Sequence, residues 1–243
     1  MGGKRTAFWG TVGAVAVSLG LFARAAFALS RGETVLQMGG ANTQAPACIG
    51  CHGVDLKGTL DNGYPRLAGL PAKYIVKQLH DFRSGERANA IMQPIAAALT
   101  EDETAAVAQE LSRRARVNAP TPASAPDPKP GTIEWLALRG EWSRKIPECV
   151  LCHGPSGVGV GDYFPPLAAQ SALYLRAQLD AFRDQKGDTG GAPPPPTRRN
   201  DINHLMGHIA RSLTEEEVVG LAEYFGGLGD SSEPFDETRR RLR

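Results

Sequence analysis

The four cysteines of this 243-residue chain occur only in two copies of one pentapeptide. The copies read Cys48-Ile49-Gly50-Cys51-His52 and Cys149-Val150-Leu151-Cys152-His153. In this pattern two thiols lie about one helical turn apart and an imidazole follows directly. The thiols can form thioethers with the vinyl groups of one porphyrin edge, and the imidazole can then bind the iron. The pattern predicts two covalently bound haem c groups, held by all four cysteines, with His52 and His153 as proximal iron ligands.

Three other kinds of site use paired cysteines. A thioredoxin-like redox pair also has two residues between its cysteines, but it needs no following histidine and lies in a βαβ context, which this sequence does not indicate. A zinc site needs four ligands, and His52 and Cys149 are separated by 97 positions. A disulfide within either motif is also disfavoured, because only two residues separate its cysteines. The haem interpretation is therefore favoured over these three.

The N-terminal residues have the features of an export signal. Lys4 and Arg5 precede the uncharged run 7–23, and Ala26-Phe27-Ala28 has the small residues that a signal peptidase requires. We expect residues 1–28 to be removed after export to the periplasm. The alternative is an uncleaved membrane anchor, because the apolar run approaches the minimum length for spanning a bilayer.

The overall charge is close to balance, with 27 basic and 26 acidic residues. Removal of residues 1–28 leaves 24 basic residues against the same 26 acidic ones. Such a chain has no basic field for binding a polyanion, so we expect no nucleic-acid partner.

The two pentapeptides belong to a longer internal repeat. Pro65-Arg66-Leu67-Ala68 corresponds to Pro165-Pro166-Leu167-Ala168 at an offset of 100 residues. Further residues match at that offset: Tyr74, Gln78, Leu79, Phe82 and Arg83 correspond to Tyr174, Gln178, Leu179, Phe182 and Arg183. After these residues the offset becomes 114, which we assign to a 14-residue insertion at 187–200 and interpret as a tolerated loop rather than a docking surface.

The repeat indicates which residue binds each iron on the distal side. Met92 and Met206 occupy equivalent positions in the two copies, and the tripeptide Leu-Thr-Glu begins seven residues after each of them. Met38, His80, His204 and His208 have no such counterpart, and we interpret His80 as a surface histidine. We therefore predict Met92 and Met206 as distal ligands, with His204 or His208 as the alternative in the second copy.

The remaining pattern is helical. Tyr74, Ile75, Gln78, Leu79 and Phe82 share one helical face, as do their counterparts in the second copy. Capping boxes at Thr100–Glu103 and Thr214–Glu217 open further amphipathic helices. No stretch alternates as a strand does, so the fold class is predicted to be all-α.

The proline distribution divides the chain. Residues 118–131 contain five prolines and read as a semi-rigid linker. This places a first domain at 31–117, a second domain at 132–228, and a charged tail at 229–243 that we expect to be solvated.

With these motifs, the chain resembles the dihaem cytochrome c4 family, in which two class I cytochrome c domains lie in tandem. The resemblance covers residues 31–228. It implies iron held by His and Met, and a proximal imidazole whose N–H is accepted by the carbonyl of Pro65 or Pro165. Ala169, where the first copy has Gly69, and the Pro-rich insertion depart from the family pattern.

The resemblance implies a periplasmic electron carrier rather than an enzyme. We expect it to pass electrons from a quinol-oxidising complex or dehydrogenase to a terminal oxidase, and to associate with the membrane surface through those partners. The alternative is the haem subunit of a periplasmic oxidoreductase, such as a sulfide or thiosulfate dehydrogenase or a peroxidase-like enzyme. A reactive iron would need an open or displaceable ligand.

Overall fold

A computed structural model describes residues 29–59, 62–117, 127–184 and 196–229. The predicted signal segment 1–28 lies outside these residues. So do the greater part of the predicted linker, residues 185–195 of the region around the insertion, and the tail from residue 230 onward.

Two helical units follow one another along the chain. The elements of the first unit are α1 Arg31–Met38, α2 Ile49–His52, α3 Ala72–Ser84, β1 Arg87–Ala88, α4 Met92–Ala98 and α5 Glu101–Ser112. Those of the second are α6 Ile133–Arg139, α7 Cys149–His153, α8 Ala172–Arg183, β2 Thr197–Arg198, α9 Leu205–Ser212 and α10 Glu215–Gly227, with short 3₁₀ helices at Trp142–Arg144, Pro155–Gly157 and Ile202–His204. The all-α class is confirmed.

The predicted amphipathic faces form the cores. Helix α3 buries Ile75, Leu79 and Phe82 against α4 and α5, and α8 buries Leu175 and Phe182 in the second unit. In the first unit α1 packs on α5, and a Cβ at Gly32 would lie 2.4 Å from the carbonyl oxygen of Ala106. The lack of a side chain at Gly32 thus lets the two helices cross closely, which brings α1 onto the core.

Both predicted capping boxes are present. Thr100 accepts a hydrogen bond from the Glu103 backbone, and the Glu103 carboxylate accepts from the Thr100 backbone. Glu103 also accepts from the Ala41 backbone N–H at 2.7 Å, which ties the segment before the first Cys-x-x-Cys-His motif to α5. In the second unit Glu217 completes the same box and pairs with Arg144 at 2.7 Å.

The two units meet through a two-residue antiparallel ladder. Arg87 in β1 pairs with Arg198 in β2, and Ala88 pairs with Thr197. These strands are too short to show an alternating pattern, so no sequence pattern predicts them. The pairing identifies Arg198 as the structural counterpart of Arg87.

This equivalence corrects the predicted insertion. Met92 follows Arg87 by five residues, whereas Met206 follows Arg198 by eight. Three of the extra residues therefore lie after the strand, where the 3₁₀ helix Ile202–His204 forms, and the rest lie before it. Residues 197 and 198 are buried against the first unit. The interpretation of 187–200 as a single tolerated loop is wrong for this part, which is an interdomain contact.

A polar cluster lies at the centre of the interface. The side-chain Oε1 atoms of Gln78 and Gln178 each accept hydrogen bonds from both Arg87 and Arg198, over 2.7–3.2 Å. Each guanidinium also stacks on a phenylalanine, Arg87 on Phe82 at 4.4 Å and Arg198 on Phe182 at 4.1 Å. Burial, together with the positive charge of Arg87, lowers the pKa of Arg198 below its ordinary value. The predicted faces of α3 and α8 thus supply interface contacts as well as core.

Among the residues that the structure describes, no helix combines the length and the apolar character needed to cross a bilayer.

Gly69 and Ala169 adopt the same left-handed backbone conformation, with φ values of 79° and 56°. A Cβ at Gly69 would lie 2.7 Å from the backbone atoms of Ala115 and Arg116. We expect Gly69→Ala to destabilise the first domain by about 2–4 kcal/mol, because left-handed strain and backbone overlap add. Denaturant unfolding of the haem-loaded protein measures this. The control Ala169→Gly should change stability by less than about 1 kcal/mol, and equal effects at both positions would contradict the prediction.

Glu103 should give a pH-dependent contribution to stability. Backbone N–H groups of Thr100 and Ala41 donate to its carboxylate and lower its pKa. The contribution is therefore complete above the unfolded pKa of about 4.3, and it is lost as the pH falls through the lower folded value. We expect Glu103→Ala to cost about 1–2 kcal/mol at pH 7, with a difference from the wild type that shrinks towards pH 3. The control Asp102→Ala removes an exposed ion pair with Arg31 and should cost less than about 1 kcal/mol. A destabilisation by Glu103→Ala that does not change with pH would contradict the prediction.

Candidate functional site

Each Cys-x-x-Cys-His motif forms a single short helix. Helix α2 ends at His52 and α7 ends at His153, and each histidine is followed by a glycine with positive φ. The four cysteines are unpaired thiols of intermediate burial, so the structure contains no disulfide among them. Both histidines are buried. The motif thus places two partly buried thiols beside one buried imidazole in each unit.

A backbone carbonyl fixes the orientation of each imidazole. The Nδ1 of His52 lies 2.9 Å from the Pro65 carbonyl oxygen, and the Nδ1 of His153 lies 2.8 Å from that of Pro165. A carbonyl can only accept, so Nδ1 carries the proton and Nε2 keeps its lone pair. These are the contacts that the family resemblance implied for the two prolines.

The protonation states suit iron binding by the histidines and disfavour redox chemistry at the thiols. Burial lowers the pKa of both histidines, which favours the neutral imidazole that binds a metal. Burial also raises the pKa of the Cys48 and Cys149 thiols to about 11. A thioredoxin-like pair needs a thiol of lowered pKa, so these thiols lack the character of a redox nucleophile.

The donor set therefore fits haem c in both units. Two thiols and an oriented imidazole match the two vinyl groups and the proximal iron position of one haem. Cys48, Cys51 and His52 would hold the first group, and Cys149, Cys152 and His153 the second.

An aromatic ring, absent from the sequence predictions, lies against each proximal histidine. Tyr64 meets His52 edge-on at a ring distance of 6.2 Å, and Phe164 meets His153 at 6.3 Å. Both rings directly precede the proline whose carbonyl binds the histidine. The offset of 100 residues between Tyr64 and Phe164 was the signal that could have found them.

The two predicted distal methionines occupy similar places in the fold. Met92 begins α4 and packs against the first core, and Met206 is the second residue of α9. A side-chain oxygen holds the backbone of each methionine: the Asn89 Oδ1 accepts from the Met92 N–H at 2.8 Å, and the Asp201 Oδ1 accepts from the Met206 N–H at 3.1 Å. Both methionines are half-buried.

The competing donors lie in less protected positions. Met38 is 72% exposed. His80 is exposed and hydrogen-bonded to Glu101 at 2.8 Å, as expected for a surface histidine. His204 and His208 flank Met206 and are both exposed.

Comparison with known proteins shows that two separate segments of this chain match one family. The family model for cytochrome c matches residues 30–109 and again 145–228. A protein from Stutzerimonas stutzeri (strain A1501) named "Thiosulfate dehydrogenase electron acceptor" is 49% identical over 91% of this chain and 95% of its own length. A cytochrome c4 from Thiocapsa roseopersicina is 35% identical over 74% of this chain and 86% of its own.

Two solved structures share the fold. Thiosulfate dehydrogenase TsdBA from Marichromatium purpuratum is 37% identical with a TM-score of 0.65, and the match covers 81% of this chain but 39% of that longer one. Reduced recombinant cytochrome c4 from Pseudomonas stutzeri is 28% identical with a TM-score of 0.59, over 74% of this chain and 92% of that chain.

Proposed function

This chain belongs to the cytochrome c family, as a tandem dihaem protein of the cytochrome c4 type, and we propose that it accepts electrons from a thiosulfate-oxidising dehydrogenase in the periplasm. The chain carries two covalent haem c groups and is an electron-transfer protein. Haem iron supplies a one-electron couple, so two haems give the chain a capacity of two electrons.

The buried and oriented proximal imidazole, present twice, is the observation that carries the proposal. It supports a permanent axial ligand for each iron from His52 and His153. We propose Met92 and Met206 as the other axial ligands. Their matched positions at the starts of α4 and α9, where a side-chain oxygen accepts from each methionine's backbone N–H, support this assignment. With a histidine and a methionine both bound, neither iron would have an open position for a substrate, which favours electron transfer over catalysis.

The identity of the donor rests on the named relatives. Proteins from Stutzerimonas stutzeri and Thiomonas intermedia that are 49% and 36% identical to this chain are named as electron acceptors of thiosulfate dehydrogenase. A thiosulfate-oxidising dehydrogenase is therefore favoured over a quinol-oxidising complex as the donor. We further propose export through residues 1–28, a terminal oxidase as acceptor, and contact with the membrane surface through that partner.

The second candidate is the haem subunit of a stable oxidoreductase complex. The TsdBA match favours it specifically, since this chain aligns with 39% of a longer protein titled thiosulfate dehydrogenase. In both candidates the chain receives electrons, and they differ in whether the dehydrogenase stays bound.

The distal assignment predicts a selective spectroscopic change. Met206→Ala should abolish the ferric iron–sulfur charge-transfer absorption of the second haem, leave that of the first, and lower the second potential, because a thioether ligand raises it. Near-infrared absorption with a redox titration measures both effects. The controls Met38→Ala, His204→Ala and His208→Ala should leave the spectrum unchanged. An unchanged spectrum in Met206→Ala would remove Met206 from the site.

The proposed donor predicts substrate-dependent reduction. The oxidised chain, mixed with a catalytic amount of a thiosulfate dehydrogenase, should be reduced at both haems when thiosulfate is added, and not in its absence. Stopped-flow absorption follows this, and co-purification from periplasm shows whether the dehydrogenase stays bound. Reduction by a quinol-oxidising complex alone would reassign the donor. Turnover of thiosulfate by the chain without a dehydrogenase would show that it is an enzyme.

A further inference from the structure

The peptide unit between Pro65 and Arg66 is hydrogen-bonded at both ends. Its carbonyl oxygen accepts from the Nδ1–H of His52 at 2.9 Å. Its N–H, which belongs to Arg66, donates to the Oε1 of Gln170 at 2.7 Å. A continuous chain of two hydrogen bonds therefore runs from Gln170 through one peptide to the proximal imidazole of the first domain.

Gln170 belongs to the second domain. It is 5% exposed, and Arg66 is 3% exposed, so water does not compete for these bonds. The Nε2 of Gln170 also donates to the Arg66 carbonyl at 3.2 Å, which gives the carboxamide two contacts with one residue. The Arg66 guanidinium is fixed as well, because it donates to the carbonyl oxygens of Ala68 at 3.1 Å and Ala115 at 3.0 Å. The contact is thus rigid and forms only when the domains are docked.

Hydrogen bonds at the two ends of a peptide reinforce each other. An acceptor on the N–H draws the proton away and increases the negative charge on the carbonyl oxygen of the same unit. A stronger carbonyl acceptor holds the Nδ1 proton more firmly and makes Nε2 a better donor to a metal. A better donor stabilises ferric iron relative to ferrous iron, which lowers the reduction potential.

The second domain cannot form the same relay. Its equivalent peptide joins Pro165 to Pro166, and a proline nitrogen carries no hydrogen. The Pro165 carbonyl still accepts from His153 at 2.8 Å, but no group can polarise that peptide from the nitrogen side. The substitution of Arg66 by Pro166 in the repeat therefore makes the two proximal sites chemically unequal.

We propose that Gln170 is a positioning residue for the iron site of the other domain. Through the peptide between Pro65 and Arg66 it strengthens His52 as a ligand, and it holds the first haem at a lower potential than the same site would have without docking. The contact thus adds an asymmetry between two repeated sites. This proposal rests on iron binding by His52, and its test requires no dehydrogenase.

The test is a spectroelectrochemical titration of both haems in the full haem-loaded chain. In Gln170→Met the side chain keeps its length but loses the carboxamide. At a fixed ambient potential, we expect the ratio of reduced to oxidised first haem to rise about twofold to threefold. This corresponds to a rise in the reduction potential of that haem of about 18–28 mV, at 59 mV per tenfold. The second haem should not shift. If Gln170→Met does not fold, Gln170→Asn weakens the same contact and should shift the first haem in the same direction.

A matched control separates the relay from domain contact in general. Lys73→Ala removes the exposed interdomain pair between Lys73 and Asp162, which does not touch this peptide, and should leave both potentials unchanged. A second readout is the ring N–H proton resonance of His52 in the reduced protein. It should move upfield in Gln170→Met, as expected for a weaker hydrogen bond, while that of His153 stays in place. An unshifted first haem, or equal shifts of both haems, would overturn the proposal.

Discussion

The hydrogen bond from each proximal imidazole to a proline carbonyl is the constraint on which the rest of the site depends. It selects the tautomer that leaves Nε2 free, and burial keeps the ring neutral. The Cys-x-x-Cys-His helix alone would leave the ring free to rotate. Because the carbonyl comes from a separate loop, the fold of each domain must place two distant segments together before the iron can be held.

The sequence revealed the parts that are local and repeated. The two pentapeptides, the faces of α3 and α8 and both capping boxes could be predicted, because each depends on residues within one or two helical turns. The contact between His52 and Pro65 was expected only through family resemblance, since nothing local connects the two residues. Equivalence within the repeat singled out Met92 and Met206, and their ligand roles remain a prediction.

The interface between the domains could not be predicted, because its contacts depend on how two separately folded units meet. Arg87 and Arg198 are ordinary basic residues in the sequence, yet both are buried in the ladder between β1 and β2. Gln170 gave no signal at all. The proline-rich composition predicts a single insertion at 187–200, whereas the strand pairing divides the extra residues between two places. Duplication therefore explains the two sites, and the interface explains how they differ.

The central claim is that each iron is held between one imidazole nitrogen and one thioether sulfur. Near-infrared magnetic circular dichroism of the fully oxidised wild-type protein tests this most directly, because the charge-transfer energy of low-spin ferric haem depends on the pair of axial ligands. The account predicts that both haems give the signature of histidine with methionine ligation. A bis-histidine signature, or a high-spin contribution from either haem, would contradict it.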